Sequence, residues 1–147
     1  MDKKYKFPII PHTHWDREWY FTTSKSIIYS LTDFSEVMEV LENNEEFPHF
    51  LLDAQTSIVD DYLEFHPEDE DRIRKLVRED KLIIGPWYTQ TDQLVISGES
   101  IIRNLYYGIE RASELGKSMM VGYMPDSFGQ TAQMPQILNG FNIYKNT

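Results

Sequence analysis

Short apolar runs alternate with helix-forming stretches along the whole chain, and this alternation limits the fold more than any other feature. The runs predict five strands, at residues 5–10, 50–54, 82–88, 119–124 and 141–144. No two runs are joined by a hairpin turn, and strands connected through helices lie parallel in one sheet. We therefore predict an α/β fold, a parallel-stranded β/α barrel-like domain present as an incomplete, open portion. Its last strand is expected to leave an unpaired edge.

Helical periodicity predicts the elements that connect the strands. From residue 25 to residue 42 apolar side chains recur every three or four positions, the pattern of one helix face, at Ile27, Leu31, Phe34, Met38 and Leu41. Further helices are predicted at residues 58–65, from Pro67 onward, at residues 97–116 and at residues 131–139. Ser97 and Gly116 are of the residue types that begin and end helices.

Polar and aromatic side chains follow the predicted strands where each strand ends. In order after the first four strands, they are His14 and Asp16, then Asp53, then Trp87 and Asp92, then Asp126. The carboxyl ends of parallel strands meet at one edge of a sheet, where α/β proteins bind their ligands. We therefore expect these side chains to lie close together and to form a site.

The stretch from His12 to Tyr20 carries the strongest chemical signal. If the first strand continues into it, period-two alternation places His12, His14 and Asp16 on one face. Imidazole nitrogen and carboxylate oxygen are standard zinc ligands, and Trp and Tyr side chains flank them. The sequence therefore predicts a metal site with an aromatic platform. The alternative is a strand end whose His and Asp are solvated or cap the next turn.

Composition narrows the classes of partner and the compartment. The 147 residues are about the length of one domain. With 24 acidic and 14 basic residues the net charge is −10, which disfavours nucleic acid and anionic membrane surfaces as partners. The chain has no cysteine, so disulfides and thiolate metal sites are excluded. No apolar run approaches the ~18 residues of a membrane span, and no signal-peptide core follows the first residues. We therefore expect a cytoplasmic protein.

Three segments carry a more specific signal. They are HTHWDREWY, GPWYTQTDQLVISGESIIRNL and GYMPDSFGQTAQMPQIL. These segments resemble the successive motifs of glycoside hydrolase family 38, the retaining α-mannosidases, and its bacterial cytoplasmic branch most closely. They occur in the family's order and span nearly the whole chain. The resemblance implies that residues 1–147 are the N-terminal portion of the family's barrel-like catalytic domain.

The resemblance also implies roles for individual residues. In this family a divalent metal, usually zinc, holds two hydroxyls of the mannose, and its implied ligands here are His14, Asp16 and Asp126. Asp126 is also similar to the catalytic nucleophile. The implied substrate is an α-mannoside or a mannose-containing glycan. Its expected contacts are Trp19 under the sugar, Phe128 in the same subsite and Asp92 at the sugar hydroxyls.

Family members are several times longer than this chain, and this difference leads to further expectations. The family's last metal-ligand histidine and its acid/base carboxylate are expected beyond residue 147, so we expect residues 1–147 alone to be inactive. Self-association is expected through the open sheet edge near Phe141 and Ile143. Three alternatives stay open: a mannosylglycerate-type hydrolase of the same family, a metal-dependent deacetylase or sugar isomerase on a similar barrel, and a non-catalytic fragment that binds only carbohydrate or metal.

Overall fold

The computed structural model describes residues 5–144 and shows an α/β chain. Its helices are α1 Thr23–Asn43, α2 Ser57–Phe65, α3 Glu70–Arg78, α4 Gly98–Leu115 and α5 Met134–Gly140, with one 3₁₀ turn at Pro67–Asp69 before α3. The strands are β1 Phe50–Leu51 and β2 Leu82–Ile83. The helices lie where periodicity predicts them. Ser97 caps α4 as expected, because its Oγ accepts a hydrogen bond from Ser100 N at 3.1 Å. Among the helices of the described residues, none is long and apolar enough to cross a membrane.

The sheet is parallel and follows chain order. Phe50 stands opposite Leu82 in the β1–β2 pair. On the other side of β1, His12 forms a parallel bridge with Leu51. Beyond β2, Met119 N donates to Ile84 O at 2.8 Å. Four segments therefore lie side by side in the order in which they occur along the chain, which is the arrangement predicted from helix-connected strands.

The predicted first strand is wrong for residues 5–10. Tyr5, Phe7 and Ile9 are 72%, 82% and 87% exposed, and no strand forms there. Pro8 and Pro11 supply the physical reason, because proline has no N–H to donate to a ladder. Pairing with β1 is limited to a short stretch, in which Leu51 N donates to the carbonyl of Pro11 at 3.0 Å.

The predicted fourth and fifth strands are also absent from the described residues. In the first of these segments Tyr123 N donates to Val121 O at 2.8 Å, a tight turn that interrupts the extended run. In the second, Asn142 has a φ of 60°, in the left-handed region, and Ile143 N donates back to Leu138 O. Ile143 is only 2% exposed. The exposed apolar edge strand expected near Phe141 and Ile143 is therefore a turn that packs against the core.

The core lies on both faces of the sheet. Leu52 and Leu82 belong to a cluster with side chains of α1, α2 and α3, while Leu51 belongs to a cluster with side chains of α4 and α5. Leu51 and Leu52 point in opposite directions because successive strand residues alternate between faces. Burial on both faces is typical of parallel sheets. Because both faces of the sheet are buried, polar groups are concentrated at the ends of the strands.

Candidate active site

A cleft of about 360 Å³ lies at the carboxyl ends of the parallel segments. Its lining residues are His14, Asp16, Trp19, Tyr20, Gln90, Thr91, Asp92, Pro125, Asp126 and Phe128. They come from the loop after His12, from the loop after β2 and from the turn before α5. The volume is within the range of pockets that bind small molecules. The six residues to which the sequence analysis assigns specific roles all line this cleft, whereas His12, Asp53 and Trp87 do not.

His14 lies at the centre of a group of carboxylates. Its Nε2 atom is 3.5 Å from Asp16 Oδ1 and 3.3 Å from Asp126 Oδ2. Its Nδ1 atom is 3.5 Å from Asp53 Oδ2, on the opposite side of the ring. The His14 side chain is 33% exposed, whereas those of Asp16 and Asp126 are 51% and 60% exposed. The imidazole therefore stands between one buried carboxylate and two that face the cleft.

The donor types and two of the spacings suit a divalent metal. Ligand atoms at the corners of a tetrahedron, with bonds of about 2.1 Å to zinc, lie about 3.4 Å from one another. The separations from His14 Nε2 to Asp16 and to Asp126 are of that size. Within residues 5–144, however, no group of three or more His, Cys, Asp or Glu side chains is already arranged to hold a metal ion. The side chains thus fit a metal in kind and in pairwise distance, and the set is incomplete.

Asp126 lies on a tight turn that exposes its carboxylate. Its φ is 50°, in the left-handed region that aspartate tolerates better than most residues. The sequence Pro-Asp-Ser-Phe-Gly is consistent with this turn, and it ends at Gly129 with a φ of 151°. Asp126 Oδ2 lies 3.3 Å from His14 Nε2, the same nitrogen that Asp16 approaches. A charged group in this position is accessible to a ligand in the cleft.

Aromatic side chains form an exposed rim around the cleft. Trp19, Tyr20 and Phe128 are 64%, 86% and 70% exposed, and the rings of Trp19 and Tyr20 meet edge to face with centroids 6.3 Å apart. Trp87, which the sequence also places at a strand end, is a core residue instead. It is 1% exposed, and its Nε1 donates to Tyr123 O at 2.8 Å.

His12 lies outside the cleft, although alternation predicts that it shares a face with His14. Its Nδ1 is 2.9 Å from Thr13 O and 3.5 Å from the hydroxyl of Tyr123. The regular alternation ends here because strand pairing does not extend past this point. Of the two histidines in the motif, only His14 contacts the acidic group.

Asp53 is a buried carboxylate that the sequence places at a strand end near the site, without assigning it a specific role. It is 0% exposed, and its Oδ2 accepts hydrogen bonds from Trp15 N at 3.0 Å and Gln55 Nε2 at 2.7 Å. Its Oδ1 is buried with no hydrogen-bond partner. Burial raises the pKa of the Asp53 carboxyl above its ordinary value, while the bonds from Trp15 and Gln55 and the nearby His14 act against that rise.

Gln55 joins three loops and was missed by sequence reasoning. Its Nε2 donates to Trp15 O as well as to Asp53, and its Oε1 accepts from the Thr89 hydroxyl at 3.0 Å and from Gln90 N at 2.9 Å. It is 2% exposed. A glutamine directly after a buried strand was the available signal, because a buried amide needs partners at both ends.

The first loop is also anchored to α2. Arg17 donates to Asp61 Oδ1 at 2.7 Å, although the two residues are 44 positions apart. Together with the bonds at Trp15, this ion pair holds the backbone on both sides of Asp16. The cleft side chains of this loop therefore project from a restrained segment.

Comparison with known proteins identifies the family of this chain. Residues 4–146 match the family described as "Glycosyl hydrolases family 38 N-terminal domain". The chain belongs to this family. The resemblance seen in the three motifs is confirmed, and the cleft lies among the residues that carry those motifs.

Several relatives are similar to most of this chain. A protein of Halalkalibacterium halodurans named "Putative mannosylglycerate hydrolase" is 40% identical over 131 residues, which cover 88% of this chain and 15% of the relative. Alpha-mannosidase 2C1 of Homo sapiens is 26% identical over 138 residues, covering 90% and 13%. The crystal structure of an alpha-mannosidase from Enterococcus faecalis superimposes with a TM-score of 0.90 at 38% identity, covering 93% and 16%. The chain thus spans less than one fifth of each of these relatives.

Proposed function

We propose that this chain is the N-terminal portion of a metal-dependent retaining glycosidase that hydrolyses terminal α-mannosides. The observation that carries the proposal is the exposed Asp126 carboxylate, 3.3 Å from His14 Nε2 in a cleft with an aromatic rim. Membership of family 38 and the names of the relatives support the same reaction class. A barrel-like catalytic domain and a cytoplasmic location remain predictions that go with this function.

The cleft offers the contacts that a hexose needs. Trp19 and Phe128 present exposed aromatic faces, and such faces pack against the apolar side of a sugar ring. Asp92 lines the same cleft, and its carboxylate can accept hydrogen bonds from sugar hydroxyls. We assign Trp19 and Phe128 to stacking and Asp92 to hydroxyl recognition.

His14, Asp16 and Asp126 are the residues that would hold a divalent metal, with zinc as the best match to their nitrogen and oxygen donors. When bound, such an ion supplies positive charge that binds neighbouring sugar hydroxyls and favours the ionised form of a nearby carboxyl. A further ligand is required for a complete shell. In the family it is a histidine, which is expected beyond residue 147.

Asp126 is proposed as the nucleophile. One oxygen of its carboxylate forms a bond to the anomeric carbon while the bond from that carbon to the leaving oxygen breaks. An acid protonates the leaving oxygen, and water then cleaves the mannosyl ester and releases mannose with its configuration retained. Retaining enzymes place the acid/base carboxyl about 5–5.5 Å from the nucleophile. By the resemblance to the family, that second carboxyl is expected beyond residue 147.

The nucleophile is tested with Asp126→Asn in the full-length enzyme, because residues 1–147 alone are expected to be inactive. The substitution preserves the size of the side chain and removes the attacking charge. We expect hydrolysis of an activated aryl α-mannoside to fall by at least about 10³-fold, because covalent catalysis has no substitute there. The matched control is Asp71→Asn on α3, outside the cleft, and it should retain full activity.

A mechanism-based fluorosugar should label Asp126 in the wild-type protein. A label on another carboxylate would transfer the role to that residue, and catalysis with no labelled carboxylate would favour a base or ligand role for Asp126.

A mannosylglycerate-type hydrolase is the second candidate, because the relative with 40% identity carries that name. The two candidates share the mannosyl half of the substrate and differ in the leaving group. Comparing kcat/KM for mannosylglycerate and for an α-linked mannobiose separates them. A preference of tenfold or more for mannosylglycerate would select this second function.

A further inference from the structure

The two nitrogens of the His14 ring face different surroundings. Nε2 faces the cleft, with Asp16 and Asp126 at 3.5 and 3.3 Å. Nδ1 faces the interior, where Asp53 Oδ2 lies 3.5 Å away. A neutral imidazole carries its proton on one nitrogen and offers the lone pair of the other, so the partner of Nδ1 determines which atom is free to bind a ligand.

Asp53 is an unusual group to bury at this position. It is 0% exposed, and among the described residues its only ion-pair contact is with His14. A buried carboxylate without a strong cation partner is unfavourable unless it is hydrogen-bonded. All the contacts it makes are on Oδ2, and Oδ1 has none. Nothing in the packing of the core offsets the free-energy cost of burying this carboxylate. Its burial therefore points to a role in the site.

The backbone around Asp53 is strained in a way that directs its side chain. Asp53 and Ala54 have φ values of 43° and 55°, both in the left-handed region, which aspartate tolerates better than most residues but alanine rarely adopts. Two backbone bonds flank this turn, from Leu52 N to Ile83 O and from Trp87 N to Ala54 O. Strain of this kind persists where the surroundings enforce it, and it is concentrated at functional sites.

Gln55 then restrains the carboxylate itself. Its Nε2 donates to Asp53 Oδ2 at 2.7 Å, and its Oε1 is held by Thr89 and Gln90. Gln90 closes the arrangement by donating from its own Nε2 to Asp53 O at 2.9 Å. Both the main chain and the side chain of Asp53 are therefore held by neutral donors from neighbouring loops.

We propose that Asp53 is a positioning residue that accepts the Nδ1–H of His14, so that the Nε2 lone pair is directed into the cleft toward a metal ion. This inference rests on the metal site of the proposed function. The 3.5 Å separation is long for a hydrogen bond, and such contacts in unliganded sites tighten when the ligand binds. A carboxylate behind a metal-binding histidine holds the ring in one tautomer and orientation.

A purely structural role is the competing explanation, because Asp53 also ties Trp15 N and Gln55 to β1. Asp53→Asn separates the two roles. The amide retains an oxygen that can accept from Trp15 N and Gln55 Nε2, and it removes the negative charge that faces Nδ1. If the role is purely structural, both the unfolding temperature and the zinc affinity should stay near their wild-type values, because these bonds are retained. A positioning role predicts weaker zinc binding at a nearly unchanged unfolding temperature.

The experiment uses the full-length enzyme, in which the further metal ligand is expected. It measures zinc affinity by competition with a chelating dye, together with thermal unfolding of the metal-free protein. We expect Asp53→Asn to weaken zinc binding by about 10- to 100-fold and to leave the unfolding temperature nearly unchanged. The matched control is Asp69→Asn, a carboxylate that accepts from the Tyr62 hydroxyl at 2.6 Å and does not line the cleft. Its zinc affinity should stay within twofold of the wild type.

A second measurement needs no variant at position 53. In protein labelled with ¹⁵N-histidine at pH 8, the ring shifts of His14, assigned by loss of its signals in His14→Gln, should report a proton on Nδ1. A proton on Nε2 would overturn the inference. So would zinc binding by Asp53→Asn within twofold of wild type, which would leave the proposed metal site intact. Absence of zinc binding by the wild type would instead reject the metal site, and this inference with it.

Discussion

Two buried side chains with several partners, those of Gln55 and Asp53, hold the loops that carry part of the cleft. Gln55 is 2% exposed and uses both ends of its amide to connect three loops. Asp53, directly before Ala54 and Gln55, receives one of those bonds. The cleft side chains Asp16 and Asp92 lie on loops that these buried bonds tie together, so their positions depend on the bonds. At the scale of single residues, buried amide and carboxylate groups fix the positions of these loops.

Gln55→Leu should destabilise the protein by about 2–4 kcal/mol. The substitution leaves the partners of the amide without their bonds, and each buried unsatisfied polar group costs about 1–3 kcal/mol. Urea unfolding monitored by circular dichroism measures the change. Gln136→Leu, the same substitution at an exposed position of α5, is the control and should change stability by less than about 0.5 kcal/mol. Equal effects of the two variants would show that the Gln55 network adds little.

At the scale of elements, α4 decides how the loop after β2 is placed. A Cβ atom on Gly108 would lie 2.2 Å from the carbonyl carbon of Trp87 and 2.3 Å from both Pro86 O and Tyr88 N. The helix therefore packs directly on the main chain that leads from β2 to Gln90 and Asp92. Asn104, one turn earlier, accepts from Tyr88 N at 2.9 Å and donates to Thr89 O at 2.9 Å. The floor of the cleft is thus held by a helix backbone and one amide.

Gly108→Ala should destabilise the protein by about 1–3 kcal/mol, the usual cost of forcing extra atoms into a packed core. The new methyl group meets backbone atoms, which cannot move aside as a side chain can. Gly98→Ala, at the exposed start of the same helix, has no atom within 4 Å of the added Cβ and serves as the control. It should be neutral or stabilising by up to about 1 kcal/mol. Thermal unfolding of the two variants would contradict this account if Gly108→Ala were the more stable.

At the scale of the whole molecule, stability and charge depend on contacts between distant helices. Arg72 on α3 makes two bonds to the carboxylate of Glu42 on α1, at 2.9 and 2.7 Å. These bonds lower the pKa of Glu42. Asp61 on α2 behaves in the opposite way, because burial raises its pKa although Arg17 lies 2.7 Å away. The two carboxyls therefore contribute to the pH dependence of folding with opposite signs.

The contribution of Glu42 should be present at neutral pH and lost in acid. A carboxyl with a lowered pKa in the folded state stabilises the fold above its unfolded pKa, and this stabilisation disappears as pH falls through the folded value. Because the pair is partly exposed, we expect Glu42→Gln to cost less than about 1 kcal/mol at pH 7. The two proteins should become equally stable once the pH has fallen through the folded-state pKa of Glu42, which lies below its ordinary value. A difference that persisted below that pKa would assign the effect to packing and not to charge.

The amino-acid sequence by itself determined the helices, the parallel order of the segments and the positions of the cleft residues. Each follows from local chemistry. The spacing of Phe34, Met38 and Leu41 defines one face of α1, and Ser97 caps α4 through a bond to its own third neighbour. His14 and Asp126 were predictable as neighbours because parallel segments connected by helices bring their carboxyl ends to one edge.

Only the tertiary structure decided which residues are buried and what each polar group contacts. Trp87 is a core residue because a carbonyl 36 positions away accepts its N–H, and Ile143 packs into the core where an exposed edge strand was expected. Asp53 acquires its place behind His14 through a turn with positive φ and a glutamine shared by three loops. These contacts join segments far apart in the chain. Local periodicity carries no information about them, because their partners are brought together only when the sheet and its helices pack.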